Sequence, residues 1–253
     1  MAACSQPPDQ ERPNTKAECT VPVAILTAHG QPSAPEAPEQ DLADLAAQVA
    51  QHLEGWDVRS ATLSTPGKLQ SVAEKDAVVF PFFMSGGYFT TSVLPQRLEG
   101  IEVNIAPPFG LDADLAPLAA RAMREAADRN NWTIDNIDIL LAAHGSARGP
   151  MAAAAAYFFA RALCKALPGP RISCGFVEQA PSIADAARHL PEQSFCVPFF
   201  AQAGDHVRDD VPEALEYAGF RGETLPVVGA LPGVPELIAR ALQRYKAGQI
   251  DKN

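Results

Sequence analysis

Three side chains that can bind a metal or accept a proton follow three predicted strands in the second half of the chain. His144 ends the segment LLAAH, Glu178 follows CGFV, and His206 follows AGD. Because ligands bind beyond the carboxyl ends of strands in open parallel sheets, we expect these side chains to meet at one edge of one sheet. Two imidazoles and a carboxylate suit a first-row divalent ion such as cobalt, iron or nickel, and neutral imidazole is also a natural base near pH 7.

The elements that must position these residues occur twice along the chain. VAILTAHGQPS (23–33) matches DILLAAHGSAR (138–148), and VFPFFMSGGYFTTSVLP (79–95) matches CVPFFAQAGDHVRDDVP (196–212) without a gap. A period of this size that occurs twice indicates duplicated domains. In each copy, short apolar runs alternate with helical patterns, which predicts right-handed βαβ crossovers and a parallel sheet covered on both faces.

The sequence therefore predicts an α/β protein made of two similar, doubly wound parallel-sheet halves. We expect a disordered tail at 1–20, a front half at 21–133 and a back half at 134–253. The last strands of the two halves are expected at 101–106 and 223–229, where short apolar runs recur.

The front half keeps the pattern but exchanges most of the polar ligands. His29 aligns with His144, Phe89 aligns with His206, and matching Pro66 with Pro181 puts Leu63 opposite Glu178. The front half is thus predicted to be a degenerate copy. Tyr88 and Phe89 pack either against the other half or against a flat ligand between the halves, and packing is the favoured alternative.

Composition excludes several classes of function. The net charge of −10 makes nucleic acid a poor partner, since phosphate binding requires clustered Lys and Arg. No apolar run is long enough to span a membrane and the first residues show no signal-peptide pattern, so a cytoplasmic protein is expected. The five cysteines form no CxxC pair, and Cys174 and Cys196 are expected to be buried thiols.

The motifs LLAAHGS, GFVEQAPSI and VPFFAQAGDHVRDDVPEAL resemble those of the sirohydrochlorin chelatases, class II chelatases related to ferrochelatase. The resemblance covers roughly residues 137–217. It implies ATP-independent insertion of Co²⁺ or Fe²⁺, with Ni²⁺ as a further option, into a tetrapyrrole for cobalamin or sirohaem synthesis. It also implies that His144 and His206 bind the metal and accept protons, with Glu178 as the acidic partner, at one site per chain between the halves. No cofactor beyond the substrate metal is expected.

Several alternatives remain open at this stage. Ser146 and Arg148, with the backbone N–H groups after His-Gly, either hold a substrate carboxylate or cap the next helix. Asp209 and Asp210 either attract hydrated cations, together with Asp205, or cap the helix that follows, and capping is favoured. The chain is either an enzyme or a carrier that binds metal or tetrapyrrole without turnover. Monomer and homodimer are both compatible with the sequence.

Overall fold

The computed structural model describes residues 21–146 and 149–248, and two four-stranded sheets form its framework. The predicted tail at 1–20 lies outside the described residues. Every strand pairing is parallel, and the strand orders are β2-β1-β3-β4 and β6-β5-β7-β8. The predicted α/β fold with two similar halves is confirmed. The strands are β1 Val23–Ala28, β2 Asp57–Thr62, β3 Val78–Pro81, β4 Asn104–Ile105, β5 Asp138–Ala143, β6 Arg171–Phe176, β7 Ser194–Pro198 and β8 Glu223–Thr224.

Helices follow the strands in the same order in both halves. A five-residue π-helical turn precedes the third helix of each half, at Phe89–Val93 and at His206–Asp210. Such turns are uncommon and are frequently found at functional sites. The helices are α1 Glu36–Ala50, α2 Lys68–Val72, α3 Leu94–Arg97, α4 Leu115–Arg129, α5 Met151–Ala166, α6 Ile183–Ala187, α7 Val211–Ala218 and α8 Val234–Lys246.

Alternate residues of the central strands divide the apolar residues into one shared core and two outer cores. On β5, Ile139 and Leu141 join the shared core with α4, α5 and α8, whereas Leu140 packs outward against α6 and α7. On β1, Leu26 joins the shared core and Ile25 packs outward against α2 and α3. Strands buried on both faces explain the continuous apolar runs seen in the sequence.

The closing helix of each half packs against the other half. Helix α8 contacts α1 and β3, and α4 contacts α5. The Tyr245 hydroxyl donates a 3.0 Å hydrogen bond to the Ile105 carbonyl, and the Arg244 guanidinium binds Asp112 and Asp114 at 2.8 and 2.6 Å. Because each half supplies part of the other half's core, the two halves hold each other in place.

The last strand of each sheet is shorter than predicted. The expected strands at 101–106 and 223–229 are only the two-residue strands β4 and β8. The final ladder bonds are donated by Ala106 to Val79 and by Leu225 to Cys196, and a proline without an N–H group follows each donor. At the other end of β4, Ile101 still donates to Leu98 in the turn that closes α3. The edge strand of each sheet is therefore paired at only two residues.

Across the described ranges, no helix combines the length and the apolar character needed to cross a lipid bilayer.

Candidate metal centre

The three predicted ligands lie at the carboxyl ends of three neighbouring strands. His144 directly follows β5, Glu178 lies two residues after β6, and His206 opens the π-helical turn after β7. The strand order β6-β5-β7 makes these strand ends adjacent. The chain passes from β5 to β6 on one side and then crosses to β7 on the other side, so the order of strands reverses between β5 and β7. Ligands bind at such a reversal in open parallel sheets, because the helices on either side diverge there.

Backbone hydrogen bonds hold this edge of the sheet in place beyond the strands themselves. Val177 donates to the Ala143 carbonyl and Glu178 donates to the His144 carbonyl, both at 3.0 Å. Gly145 has φ of +68°, and a Cβ at this position would come within 2.7 Å of the Gln179 Cγ atom. The loops that carry His144 and Glu178 are thus paired backbone to backbone, with room for glycine only between them.

The side chains of His144, Glu178 and His206 form a single open cluster. One ligand atom from each lies within 4.8 Å of the others, and His144 Nδ1 is 3.7 Å from Glu178 Oε2. The two imidazole rings meet edge to face with centroids 4.5 Å apart. The side chains are 42%, 44% and 41% exposed in that order, so solutes reach the cluster from solvent.

Both imidazole rings have an oxygen atom beside Nδ1. His206 Nδ1 lies 2.5 Å from Asp210 Oδ2, and His144 Nδ1 lies 3.1 Å from the Gly145 carbonyl oxygen. Since a carboxylate and a carbonyl only accept hydrogen bonds, these contacts favour the neutral tautomer with its proton on Nδ1 and its lone pair on Nε2. A carboxylate behind a ligating histidine fixes its tautomer and orientation in metal sites.

The contact with His206 corrects the favoured interpretation of Asp210 as a capping residue. Asp210 occupies the position before α7, but no side-chain hydrogen bond caps that helix. The π-helical turn instead brings Asp210 to His206, four residues earlier. The expectation failed because an aspartate just before a helix has the same sequence pattern in both roles.

This donor set fits a divalent metal held loosely. Nitrogen and oxygen ligands lie about 2.0–2.2 Å from such an ion, so ligand atoms on one ion are at most about 4.4 Å apart. The spacing of up to 4.8 Å therefore needs only a small inward movement of exposed side chains. Among the described residues no thiol joins the cluster. Cys174 and Cys196 are buried as predicted, and burial raises the pKa of their thiols to about 11 and about 12.

The same edge of the front half carries aromatic rings in place of ligands. Phe89 opens the front π-helical turn, and its ring lies 4.2 Å from the His29 ring, centroid to centroid. The alignment of Leu63 with Glu178 is wrong. Ala143 pairs with Phe176 and Ala28 pairs with Thr62, so the residue equivalent to Glu178 is Ser64. The proline used for the alignment is displaced by one residue in the loop, and the front half still lacks the carboxylate.

The predicted carboxylate-binding loop is only partly described. Arg148 lies outside the described residues. The backbone N–H of Ser146 donates a 2.9 Å hydrogen bond to Gln179 Oε1 and is therefore not available to a substrate carboxylate. Helix α5 begins at Met151 with Pro150 at its cap position. Sequence reasoning missed Gln179, although it directly follows Glu178.

A hydrogen bond joins the two halves beside the cluster. Gln31 Nε2, two residues after His29, donates to Asp205 Oδ2 at 2.7 Å, and Asp205 directly precedes His206. Arg208 also binds Asp205, at 3.1 Å. The His29 loop of the front half therefore lies against the turn that carries His206. No local sequence pattern predicts this contact between residues so far apart in the chain.

An acidic groove runs along α7 next to the cluster. It has a volume of about 520 Å³ and is lined by Asp210, Glu213, Ala214, Glu216 and Tyr217. None of the three clustered ligands lines it, and Asp210, which contacts His206, joins the groove to the cluster.

Comparison with known proteins gives two matches to one family model within the chain. Residues 23–126 and 138–245 each match the model of the CbiX family. A curated relative, a probable sirohydrochlorin cobaltochelatase of Halobacterium salinarum, is 23% identical over 171 residues. That match covers 57% of this chain and 59% of the relative, so the chain spans less than two thirds of the relative's length.

Solved structures share the fold over most of the chain. The structure of CbiX described as the terminal enzyme for biosynthesis of sirohaem in denitrifying bacteria is 42% identical, with a TM-score of 0.81, and the match covers 87% of this chain and 97% of that one. SirB from Bacillus subtilis with Fe³⁺ is 14% identical with a TM-score of 0.67 over 92% of this chain and 100% of that one, a likeness of fold alone.

Proposed function

This chain belongs to the CbiX family, and on that basis and the site geometry we propose that it inserts Fe²⁺ into sirohydrochlorin without ATP. The observation that carries the proposal is the open cluster of two imidazoles and one carboxylate at the reversal point of the back sheet. In this proposal the metal is a substrate, held by His144, Glu178 and His206 and then passed to the macrocycle.

A loose site suits a metal in transit. Imidazole and carboxylate bind a first-row divalent ion, whereas thiolates would retain it. The ligand spacing of up to 4.8 Å and the two-fifths exposure of each side chain let the protein release the ion to four pyrrole nitrogens. Exchange of ligands, one at a time, keeps the ion coordinated throughout the transfer.

The same side chains account for the protons. Insertion of M²⁺ into the neutral macrocycle forms the metal complex and releases two N–H protons. An imidazole Nε2 lone pair accepts one proton and the Glu178 carboxylate accepts or relays the other. The Asp210 carboxylate stabilises a protonated His206 through the Nδ1–H group. Backbone hydrogen bonds hold the loops that carry His144 and Glu178, and groups presented from such a fixed edge favour a distorted ring, in which nitrogen lone pairs face the metal, over a planar one.

The choice of iron is supported by the relative with the higher identity. The CbiX protein that acts in sirohaem biosynthesis is 42% identical to this chain, whereas the probable cobaltochelatase is 23% identical. Sirohaem contains iron, so iron is the metal we assign. The ligand types themselves accept cobalt as well.

The test is multiple turnover under anaerobic conditions. Purified protein is mixed with an excess of sirohydrochlorin and Fe²⁺, and in parallel Co²⁺, and the loss of the free-base absorbance is followed. We expect the protein to consume more than one equivalent of free-base sirohydrochlorin. The rate relative to the spontaneous reaction should be higher with Fe²⁺ than with Co²⁺. Loss that stops at one equivalent would instead identify a carrier. Faster turnover with Co²⁺ would overturn the assignment of iron.

A substitution in the cluster tests whether His206 takes part in turnover. His206→Ala should lower turnover by about 100-fold or more, because general acid–base catalysis and one metal ligand are lost together. His189→Ala is the matched control, since His189 is an exposed histidine outside the cluster. Equal turnover rates for His206→Ala and His189→Ala would remove His206 from the mechanism.

A further inference from the structure

The front half presents a continuous aromatic strip at its own sheet edge. Phe89 occupies the place that His206 has in the back half. Its ring lies 4.2 Å from His29, 5.7 Å from Tyr88 and 6.3 Å from Phe83, measured between centroids. The duplicated turn has thus kept its backbone shape while exchanging a metal ligand for a flat apolar surface.

Tyr88 is the open end of this strip. It is 70% exposed, and its ring meets the edge of the Phe89 ring. A single exposed aromatic residue needs no explanation on a protein surface. This one, however, adjoins a cluster of rings, and such rings provide a large apolar surface for a flat ligand at low conformational cost.

The His29 end of the strip lies near the metal cluster. The Gln31–Asp205 hydrogen bond fixes the His29 loop against the turn that begins at His206. His29 belongs to the strip through its contact with Phe89, and His206 belongs to the cluster. One side of the junction between the halves therefore carries aromatic rings and the other side carries polar ligands.

From this juxtaposition we infer that the front half recognises the macrocycle, with Tyr88 and Phe89 contacting its conjugated face and the back half supplying metal and proton ligands. This assignment rests on the proposed function and names the residues that hold its tetrapyrrole substrate. The strip has no metal ligand other than His29, so it contributes to tetrapyrrole affinity and not to metal affinity. Phe83 and Phe89 are also partly buried against the outer core of the front half, so for Phe89 recognition is assigned in addition to the packing favoured from the sequence, and Tyr88 supplies the exposed ring.

Titrations with each substrate alone test the division of labour. Metal-free sirohydrochlorin is added to the protein and its absorbance change gives one Kd, and Co²⁺ absorbance in a separate titration gives the other. Tyr88→Ala should raise the Kd for sirohydrochlorin roughly three- to tenfold. The upper value corresponds to about 1.4 kcal/mol, which lies within the range for one aromatic contact. Tyr88→Phe keeps the ring and should bind within about twofold of wild type.

Phe158→Ala is the matched control, because Phe158 is a 60% exposed ring on α5 outside the strip. Co²⁺ affinity should be the same in all variants. Sirohydrochlorin binding by Tyr88→Ala equal to wild type, beside normal metal insertion, would overturn this inference and leave the proposed function standing. A loss of Co²⁺ affinity in Tyr88→Ala would also overturn it. Failure of the wild-type protein to bind sirohydrochlorin would overturn the proposed function as well.

Discussion

Replacing Asp210 by alanine should lower metal insertion strongly while leaving the protein folded. The Asp210 carboxylate lies 2.5 Å from His206 Nδ1 and fixes the tautomer whose Nε2 lone pair is free for the metal. Partners of this kind are worth about 10- to 100-fold in metal affinity or activity. We expect about a 100-fold loss in kcat/KM for Asp210→Ala. Asp210→Asn keeps one acceptor oxygen without the charge and should lose about tenfold.

Stability should change little in these variants. The His206 and Asp210 side chains are 41% and 46% exposed, so solvent screens their interaction, and no capping bond is lost from α7. The free energy of unfolding is expected to stay within about 0.5 kcal/mol of wild type. Asp209→Ala is the control, since it removes the same charge from an exposed neighbour in the same turn.

The assay is the anaerobic initial rate with Fe²⁺ and sirohydrochlorin varied separately. The KM for metal should rise and the KM for sirohydrochlorin should not, because Asp210 acts through a metal ligand. In the His206→Ala background, Asp210→Ala should have no further effect, since the two residues act as one unit. An equal loss in both backgrounds, or full activity of Asp210→Ala, would refute the reasoning.

Arg244→Ala should lower the free energy of unfolding by about 2 kcal/mol, because it leaves the buried Asp112 carboxylate without its charged partner. The exposed pair of Arg240 supplies the control: Arg240→Ala should cost less than about 1 kcal/mol by chemical denaturation, and equal losses would contradict the importance of the contact between halves. Burial raises the pKa of Cys196 to about 12, so its thiol contributes stability that is complete below the unfolded pKa of about 8.5 and is lost as pH rises toward 12. By pH 10.5 the loss is about 2 to 3 kcal/mol. The free energy of unfolding measured in urea should therefore fall less steeply with pH in Cys196→Ala than in wild type. Equal slopes in the two proteins would contradict this role of the Cys196 thiol.

Much of the framework follows from the sequence, because its signals are local. The apolar runs of β5 and β7 and the internal duplication predict two parallel sheets, and parallel strands must end at a common edge. That rule brings His144 and Glu178 together, and His206 reaches the same edge through the loop and π-helical turn that follow β7. The prediction succeeded for these residues because each lies within a few residues of a strand end or a fixed turn.

The contacts that sequence reasoning missed depend on geometry without a local pattern. An amphipathic helix such as α8 shows that one face is buried, but not that it packs against the other half. The π-helical turn directs Asp210 to His206, although the same aspartate has the pattern of a helix cap. Gln31 and Asp205 meet only because the halves pack with their two sheet edges together.

The position of bound metal tests the central claim most directly. Crystals of the protein soaked anaerobically in Co²⁺ or Fe²⁺, measured at the metal absorption edge, locate the ion by its anomalous scattering. The account predicts one site per chain within coordination distance of His144, Glu178 and His206, and its loss in His206→Ala. Metal bound instead along α7, at Glu213 and Glu216, with the three-residue cluster empty, would contradict it.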